Sequence, residues 1–332
     1  MKGVTIVICC HNSRHKLAPT LQHLRDQKTN VSREIIVVDN NSTDDTGTFA
    51  LDTWRLLGEV LPLRVIKERQ AGLRYARETG IRAAQHEFII FCDDDNHLAD
   101  DYVDKVNSIF SSDDSIALIG GIGTAVADVA LPSWFEDFKG LFAVGPTAAR
   151  GTLPTSSSYI YGAGMGIRKQ AWEKLNDLGF KSAVDDRKGT DLSGGHDVEL
   201  SFAMRLIGYN VVFDDTLRFN HYIDSNRLTV DYLLALARGS AANYTTFVYY
   251  SLFERKIRTS VGFAYAFLKT IVWRRSTVLF LKFSPLQDAG MANEVYTEMN
   301  RSSSAFFARN FFPALAYFKH VNSIYKNSQA AK

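Results

Sequence analysis

Three adjacent carboxylates directly follow an apolar run in this sequence. The stretch "FCDDDN" occupies positions 91–96, and "EFII" stands immediately before it. Like charges in contact repel by about 4 kcal/mol per pair at an effective dielectric constant of about 20. A fold tolerates this repulsion where a cation offsets it, or where the segment is a solvated turn. In an extended backbone alternate side chains share a face, so we expect Asp93 and Asp95 to share a divalent cation, or to hold a cation and a ribose.

Other residues that could take part in binding or catalysis are spread along the chain. Arg74 and Arg77 lie in "AGLRYARETGIRAA", and arginine pairs well with phosphate. Asp197, in "GGHDVEL", stands three residues before Leu200, which predicts that it points toward the buried side of its helix. His221 follows a predicted strand. Each has a structural alternative: a solvated helix face for the arginines, an N-terminal cap for Asp197 and a structural ring for His221.

The sequence lacks the motifs that bind nucleotides through glycine-rich backbone. A dinucleotide-binding turn requires G-x-G-x-x-G, but "CCHNSRHK" after the first apolar run contains no glycine. The G-x-x-x-x-G-K-[ST] pattern does not occur either. These observations argue strongly against a nicotinamide or flavin enzyme. A bound nucleotide would therefore be held by side chains and a metal.

Alternating strand and helix patterns must position these residues. Short apolar, β-branched runs predict buried strands, and apolar spacings of three and four predict the helices between them. We predict strands at 4–10, 34–39, 63–68 and 87–92, and helices that begin near Leu17 and cover Thr46–Leu57 and Gly72–Ala84. This order predicts an α/β fold whose largely parallel sheet binds ligands at the carboxyl ends of its strands. Asp39 and Asp93–Asp95 would then meet at one edge.

The second half of the chain has a mixed pattern. "SIALIGGIGTAV" predicts a strand with a glycine-rich bend, and "YIYGAGMGIRKQAWEKL" predicts a strand, a tight glycine turn and a helix. "GGHDVELSFAMRLIGYNVVFD" predicts a glycine hinge, a helix that ends near Gly208 and another strand. After residue 228 the pattern is helical to the end.

Charge is unevenly distributed over the 332 residues. The formal net charge is +2, yet residues 251–332 contain 12 Lys and Arg against 4 Asp and Glu. That tail therefore carries +8 and the rest of the chain −6. Such an asymmetry points to a separate region with its own partner, beginning near residues 230–250.

The cysteines and the N-terminal run bear on the compartment. Cys9, Cys10 and Cys92 lie at the ends of apolar runs, their number is odd and no CxxC occurs. "VTIVICC" is followed by "HNSRHK" and not by a small-residue cleavage site, so it indicates a first strand. These features predict a reducing compartment and a packing role for the thiols. No uninterrupted apolar run of the length of an ordinary transmembrane helix is present.

Taken in order, eight stretches resemble the family 2 inverting glycosyltransferases of bacterial cell-surface polysaccharide synthesis, which have the GT-A fold. The resemblance covers roughly residues 3–240. The stretches are "VTIVICCHNSRHKL", "EIIVVDNNSTDDT", "GLRYARETGIRAA", "FIIFCDDDN", "LPSWFEDFKGLFAVG", "YGAGMGIRKQAWEKL", "GGHDVELSFAMRLIGYNV" and "HYIDSNRLT".

The resemblance implies a fold and its subdivision. We expect an α/β GT-A domain, with a mostly parallel nucleotide-binding sheet flanked by helices, at 1–235. Residues 1–110 would form its nucleotide-sugar half and 111–235 its acceptor half. A helical, basic and aromatic C-terminal extension would follow at 236–332.

The resemblance also implies roles on the donor side. Asp39 would read the nucleotide base, while Arg77 and His11 would contact the nucleotide. Asp95 would ligate a metal directly. The metal shell and the ribose contacts would be completed by His221, Asp93 and Asp94.

On the acceptor side, Asp197 would be the catalytic base. The loop beside donor sugar and acceptor would comprise Gly162, Ala163, Gly164 and Met165. His196 stands where the family has Glu, and we expect it either to orient the acceptor or to titrate near neutrality. Glu78 replaces the usual Asn, which would alter a donor contact.

The implied cofactor is Mn²⁺ or Mg²⁺. The implied partners are a nucleoside diphosphate sugar, with uridine the expected base, and a glycan or lipid-linked glycan. Nucleic acid is not an expected partner. A nucleotidyltransferase of related fold would carry a glycine-rich, basic first loop. An inactive glycan-binding relative would not be expected to retain Asp95, Asp197 and His221.

The basic tail supports a prediction of its own. "VGFAYAFLKTIVWRRSTVLFLKF" at 261–283 is too interrupted to span a bilayer, but its aromatic and basic mixture suits an interfacial helix on anionic lipid. We therefore expect a cytoplasmic protein that contacts the inner face of the membrane through 251–332. The alternatives are a helical subdomain packed on the catalytic body and a homodimer surface.

Overall fold

The computed structural model describes residues 3–153, 158–184, 187, 192–240, 243–283 and 290–330. Within them, nine strands form one mixed sheet. The strands are β1 Val4–Cys10, β2 Arg33–Asn40, β3 Leu63–Glu68, β4 Phe88–Asp93, β5 Asn96–Leu98, β6 Ile116–Val126, β7 Gly151–Thr152, β8 Gly166–Arg168 and β9 Asn210–Tyr222.

Helices flank this sheet and continue beyond it. They are α1 Leu17–Arg25, α2 Thr46–Leu56, α3 Leu73–Ala83, α4 Tyr102–Ser112, α5 Phe135–Phe138, α6 Lys169–Asp177, α7 His196–Leu206, α8 Val230–Gly239, α9 Asn243–Glu254, α10 Ser260–Phe283, α11 Gly290–Arg309 and α12 Phe311–Ala330.

The sheet runs in the order β3-β2-β1-β4-β8-β6-β9-β5, with β7 paired to β9. The first four strands in this order are parallel, as their apolar patterns predicted. In register, Cys10 lies opposite Asp39 and Cys9 lies opposite Asp93. The predicted meeting of Asp39 and Asp93 at one sheet edge is therefore confirmed.

Alternating side chains of the strands build two cores. Ile6 and Ile8 of β1 are buried on one face, in the core that includes residues of α1, α2 and α4. Val7 is buried on the other face, in the core that includes residues of α3, α6 and α7. This helix–sheet–helix arrangement is the expected α/β GT-A fold.

The mixed half departs from prediction at one point. β6 carries register shifts between Ile116 and Leu118 and between Gly120 and Ile122, which confirms the predicted bend. Residues 159–161, predicted as a strand, lie in irregular backbone, and only Gly166–Arg168 pair as β8. In this segment the Ile160 amide donates to the Ser201 hydroxyl at 3.3 Å, and the Gly162 amide that follows donates to the Asp197 carboxylate, so neither bonds to a neighbouring strand.

The predicted C-terminal helical region is confirmed. Phe263, Phe267, Phe307 and Phe318 are fully buried between its helices. Tyr317 of α12 donates from its hydroxyl to the buried Glu199 of α7 at 2.7 Å, which ties this region to α7. Across the described helices, none combines the length and the apolar character needed to cross a membrane.

Candidate active site

A cavity of about 430 Å³ opens at the carboxyl edge of the parallel strands. The ends of β1 and β4, the start of α3, the loop before β8, the start of α7 and helix α8 all contribute to its walls. Because these elements are far apart in sequence, the cavity exists only in the folded chain. It lies where ligands bind in open α/β sheets.

The acidic stretch forms one wall of the cavity. Positively charged side chains lie beside its aspartates. Lys16 Nζ lies 2.8 Å from Asp94 Oδ1 and 3.3 Å from Asp95 Oδ2. Arg227 donates to Asp95 Oδ2 at 3.1 Å. The extended backbone expected from Asp93 to Asp95 is not found, because residues 94–95 form a turn, although both aspartates line the cavity. Asp93 lies 4.0 Å from Arg77.

These charges determine the ionisation of the buried carboxylates. Burial opposes ionisation of Asp95, but His221, Lys16 and Arg227 outweigh it and hold the pKa of Asp95 well below its usual range. Burial likewise disfavours the charged form of Lys16, and the charges of Asp94 and Asp95 raise its pKa above the usual value. Asp94 keeps a raised pKa, because burial dominates over the charge of Lys16. The apolar strand thus runs into three aspartates whose repulsion is offset by side chains of the protein itself.

Asp95 and His221 form a pair of suitable metal ligands. Antiparallel pairing of β5 with β9 sets Asn96 opposite His221 and brings His221 Nε2 to 3.5 Å from Asp95 Oδ1. His221 Nδ1 is buried and finds no hydrogen-bond partner in the described chain. Two adjacent donors of this type fit a divalent cation whose other ligands are phosphate oxygens and water. A preassembled group of three His, Cys, Asp or Glu ligands is not found within the described ranges, so Asp93 does not complete such a set.

Asp197 also lines the cavity. Gly195, at a φ of 121°, is the N-cap of α7, so the alternative of Asp197 as that cap is wrong. Asp197 sits in the first helical turn, where its Oδ2 accepts from the Gly162 amide at 2.6 Å. Beside it, burial and then the charge of Asp197 raise the pKa of Tyr161 to about 12.

The predicted sugar loop divides into lining and supporting residues. Gly162 and Ala163 line the cavity. Gly164, at a φ of 69°, accepts from the Tyr102 hydroxyl at 2.6 Å, and Met165 is fully buried in the core. These last two residues therefore hold the loop in place and do not face the cavity.

Gly162 is needed for close approach to Arg77. A Cβ atom at Gly162 would lie 2.3 Å from Arg77 Nη2. The guanidinium group of Arg77 also stands 5.5 Å from the Phe91 ring centroid. Arg77, which is 4% exposed and lines the cavity, is thereby fixed between the loop and β4.

His196 does not behave as expected. It is 2% exposed and does not line the cavity. Burial, reinforced by the positive charges of Arg77 and Arg74, lowers its pKa to about 3. The expectation that His196 titrates near neutrality is therefore wrong.

At the end of β2, Asn40 faces the cavity and its neighbour Asp39 does not. Asp39 is buried behind the cavity lining, where its Oδ1 accepts from the Ser42 amide at 3.3 Å. Asn40 lines the cavity, and its Oδ1 accepts from the Gly72 amide at 2.8 Å. His11 also lines the cavity, with Nδ1 at 2.9 Å from the Asn40 carbonyl oxygen.

Glu78 lies away from this cavity. Arg74 reaches it at 3.3 Å and Arg82 at 2.8 Å, both along α3. These pairs fit the structural interpretation of that helix face, and they place neither Glu78 nor Arg74 in the cavity wall.

Several lining residues were not singled out from the sequence. Only one indication was available: three adjacent aspartates required positive charge, and Lys16 and Arg227 supply it. Nothing in their local sequence marked the aromatic or polar members. The charged, polar and aromatic lining residues that were missed are Lys16, Asn40, Phe142, Tyr159, Tyr161, Arg187, Arg227, Tyr232 and Ser240.

Comparison with known families gives a match for the larger part of this domain. The family described as glycosyl transferase family 2 matches residues 5–175. The poly(ribitol-phosphate) β-N-acetylglucosaminyltransferase TarP of Staphylococcus aureus is 22% identical over 237 residues, which are 70% of this chain and 67% of TarP. The chondroitin synthase of Escherichia coli is 29% identical over 120 residues, 36% of this chain, and the match spans only 17% of its length.

Solved structures share the fold at low identity. The mannosyltransferase PcManGT from Pyrobaculum calidifontis, in complex with GDP-Man and Mn²⁺, has a TM-score of 0.59 at 16% identity and covers 93% of this chain and 87% of its own. S. aureus TarS in complex with UDP-GlcNAc has a TM-score of 0.51 at 15% identity and covers 92% of this chain and 91% of its own.

Proposed function

Since this chain belongs to glycosyl transferase family 2, we propose that it transfers a sugar from a nucleoside diphosphate sugar to a hydroxyl of a glycan or lipid-linked glycan, with inversion at the anomeric carbon. The reaction would serve the synthesis of a surface polysaccharide.

One observation carries this proposal: a single cavity holds two sets of groups with complementary chemistry, which we assign to a donor wall and an acceptor wall. One wall holds Asp94 and Asp95 among the cations Lys16 and Arg227. The other holds a single carboxylate, Asp197, in hydrogen-bond contact with the sugar loop. A donor sugar between them would have its leaving diphosphate on one side and an acceptor hydroxyl on the other, which is the arrangement for a single in-line displacement.

On the donor wall, Arg77, Lys16 and Arg227 would bind the diphosphate and stabilise the charge that develops as it leaves. Asp93 and Asp94 would contact the ribose. His11 and Asn40 would line the base pocket, next to the buried Asp39, which does not itself line the cavity.

Asp95 and His221 would hold Mn²⁺ or Mg²⁺, since His221 Nε2 and Asp95 Oδ1 lie 3.5 Å apart, as two ligands of one such ion can. When bound, this ion would act as a Lewis acid toward the leaving diphosphate. PcManGT, of the same fold, is described in complex with Mn²⁺.

On the acceptor wall, Asp197 would accept the proton of the attacking hydroxyl. Hydrogen bonds from the amides of Gly162 and Val198 fix the direction of this carboxylate. The aromatic rings of Tyr159, Tyr161 and Tyr232 would line the sugar site. UDP-GlcNAc is the first donor to test, because TarP is an N-acetylglucosaminyltransferase and TarS binds UDP-GlcNAc.

Thermal unfolding with a panel of nucleoside diphosphates, each with Mn²⁺ and with EDTA, tests the proposal. A ligand at 100 times its dissociation constant adds about 2.7 kcal/mol to the free energy of unfolding, which raises the midpoint by several degrees. We expect a Mn²⁺-dependent shift with one base.

Asp95→Ala should abolish this shift, whereas Asp114→Ala, at a side chain 99% exposed, should retain it. The absence of a shift with every nucleotide would count decisively against the proposed function.

A further inference from the structure

The inner side of α10 is firmly packed on the rest of the protein. Phe263 and Phe267 are fully buried. The ring of Phe263 lies 4.8 Å from that of Phe318, and the ring of Phe267 lies 4.8 Å from that of Phe307. Helix α10 is thus held in a defined orientation by α11 and α12.

The opposite side of α10 is exposed and apolar. Val261, Tyr265, Leu268, Val272 and Leu279 have 57–81% of their surface exposed. Their spacings of four, three, four and seven residues place them along one side of the helix.

Trp273 and Phe280, which are 57% and 68% exposed, extend this surface laterally. We refer to these seven residues as the outer face of α10. A monomeric soluble protein seldom exposes an apolar surface of this extent without a partner.

The charges of α10 are of one sign. Its sequence contains four basic residues and no acidic residue. Lys269 and Arg275 are exposed beside the outer face, whereas Arg274 turns inward and donates to Asn300 Oδ1 at 2.8 Å. The outer face therefore combines apolar contact area with positive charge.

We propose that the outer face of α10 binds the surface of an anionic lipid bilayer, with the helix axis in the plane of the membrane. A helix of 24 residues would lie along about 36 Å of that surface. Its apolar side chains would enter the boundary between headgroups and acyl chains, and Lys269 and Arg275 would pair with anionic headgroups. Tyr265 and Trp273 are of the types that favour this interface.

Charge favours lipid over a second copy of the chain. A two-fold contact would place the same surface on both subunits. It would bring Lys269 and Arg275 toward their own counterparts, and α10 offers no carboxylate to pair with them. An anionic bilayer satisfies both the apolar and the basic residues.

Flotation of the full-length protein with vesicles tests this proposal without any sugar transfer, so its outcome is independent of the proposed function. The vesicles are phosphatidylcholine alone and phosphatidylcholine mixed with phosphatidylglycerol. We expect binding to the mixed vesicles, lowered at least about tenfold by Leu268→Glu/Val272→Glu and by Lys269→Gln/Arg275→Gln.

Leu56→Glu is the matched control, because Leu56 is an apolar residue 89% exposed on α2, remote in sequence from α10. It should bind as the wild type does. Thermal unfolding of each variant checks that folding is retained.

Three results would overturn the proposal. The first is wild-type protein that stays unbound with phosphatidylglycerol vesicles. The second is that the variants of the outer face bind as well as Leu56→Glu. The third is a wild-type dimer that Leu268→Glu/Val272→Glu converts to a monomer in the absence of lipid, which would assign the outer face to a second copy.

Discussion

Side chains of the cavity neutralise one another's charge or are held in position by one another. Lys16 and Arg227 neutralise the aspartates that follow β4 and keep Asp95 ionised. The Asp197 carboxylate is directed by the Gly162 amide. Each chemical group therefore depends on a partner contributed by a distant segment, and single substitutions should separate their roles.

Substitution of Asp197 tests the proposed base. Asp197→Asn retains the size of the side chain but removes its capacity to accept a proton. We expect turnover, measured as nucleoside diphosphate release in the presence of acceptor, to fall by about 10²- to 10⁴-fold. Nucleotide binding, measured by thermal shift, should remain, and near-normal turnover in this variant would contradict the assignment.

Substitution of His196 tests the burial of a neutral imidazole. The pKa of His196 is about 3 in the folded protein, against about 6.5 when unfolded. Below pH 6.5 the unfolded state binds a proton that the folded state does not, so stability is complete above that pH and falls as the pH decreases. Between pH 7.5 and 5 this loss amounts to about 2 kcal/mol.

Urea unfolding at these two pH values should show that loss in the wild type and a smaller one in His196→Gln. His15→Gln, at a side chain 63% exposed, should retain the wild-type dependence. An equal loss of unfolding free energy between pH 7.5 and 5 in the wild type and in His196→Gln would show that His196 is not held neutral by the fold.

At the scale of elements, the loop before β8 joins the two walls of the cavity. Gly162 contacts Arg77 on one side and Asp197 on the other. Gly164 and Met165 anchor the loop to α4 and the core. The loop thus links the position of Arg77, which would bind phosphate, to the position of Asp197, the proposed base.

Gly162→Ala should disturb this coupling. Its Cβ would meet Arg77 Nη2 at 2.3 Å, so the loop or the guanidinium group must move. We expect nucleotide affinity, measured by calorimetry, to fall at least about tenfold, which corresponds to about 1.4 kcal/mol. Gly290→Ala, where a Cβ would meet nothing within 4 Å, is the control, and wild-type affinity in Gly162→Ala would refute the coupling.

At the scale of the whole molecule, one continuous core runs from the sheet to the C-terminal helices. Val7 and Ile36 of the sheet belong to the same buried cluster as Phe318 and Ile324 of α12. The helices after β9 are therefore part of the folded body that supports α7, and we expect them to unfold with the sheet in one transition.

Phe318→Ala tests this expectation. Phe318 is fully buried against Phe253 and Phe263, so its truncation should lower the free energy of unfolding by about 3–5 kcal/mol. The midpoint should fall by several degrees as one transition, whether followed by circular dichroism or by nucleotide binding. Phe312→Ala, at a side chain 79% exposed, should change stability by less than about 0.5 kcal/mol, and two separate transitions in Phe318→Ala would contradict a shared core.

The sequence by itself determined the α/β elements of the first half, the parallel sheet and the edge at which the aspartates meet. It could do so because apolar periodicity and strand order are local properties of the chain. The family resemblance added the GT-A fold and the roles proposed for Asp95, Asp197 and His221, which the residues themselves had already marked as candidates. Local patterns failed at residues 159–161, where the Ile160 amide donates to the Ser201 hydroxyl and not to a strand.

Tertiary structure alone decided which charges meet. Lys16 and Arg227 join Asp95 from positions 79 residues before and 132 residues after it, and no local pattern encodes such contacts. The burial of His196 and the turn at residues 94–95 likewise follow from packing. The sequence indicated that the aspartates required positive charge. Only the fold determined which residues supply it, because the ionisation of a side chain depends on its neighbours in space.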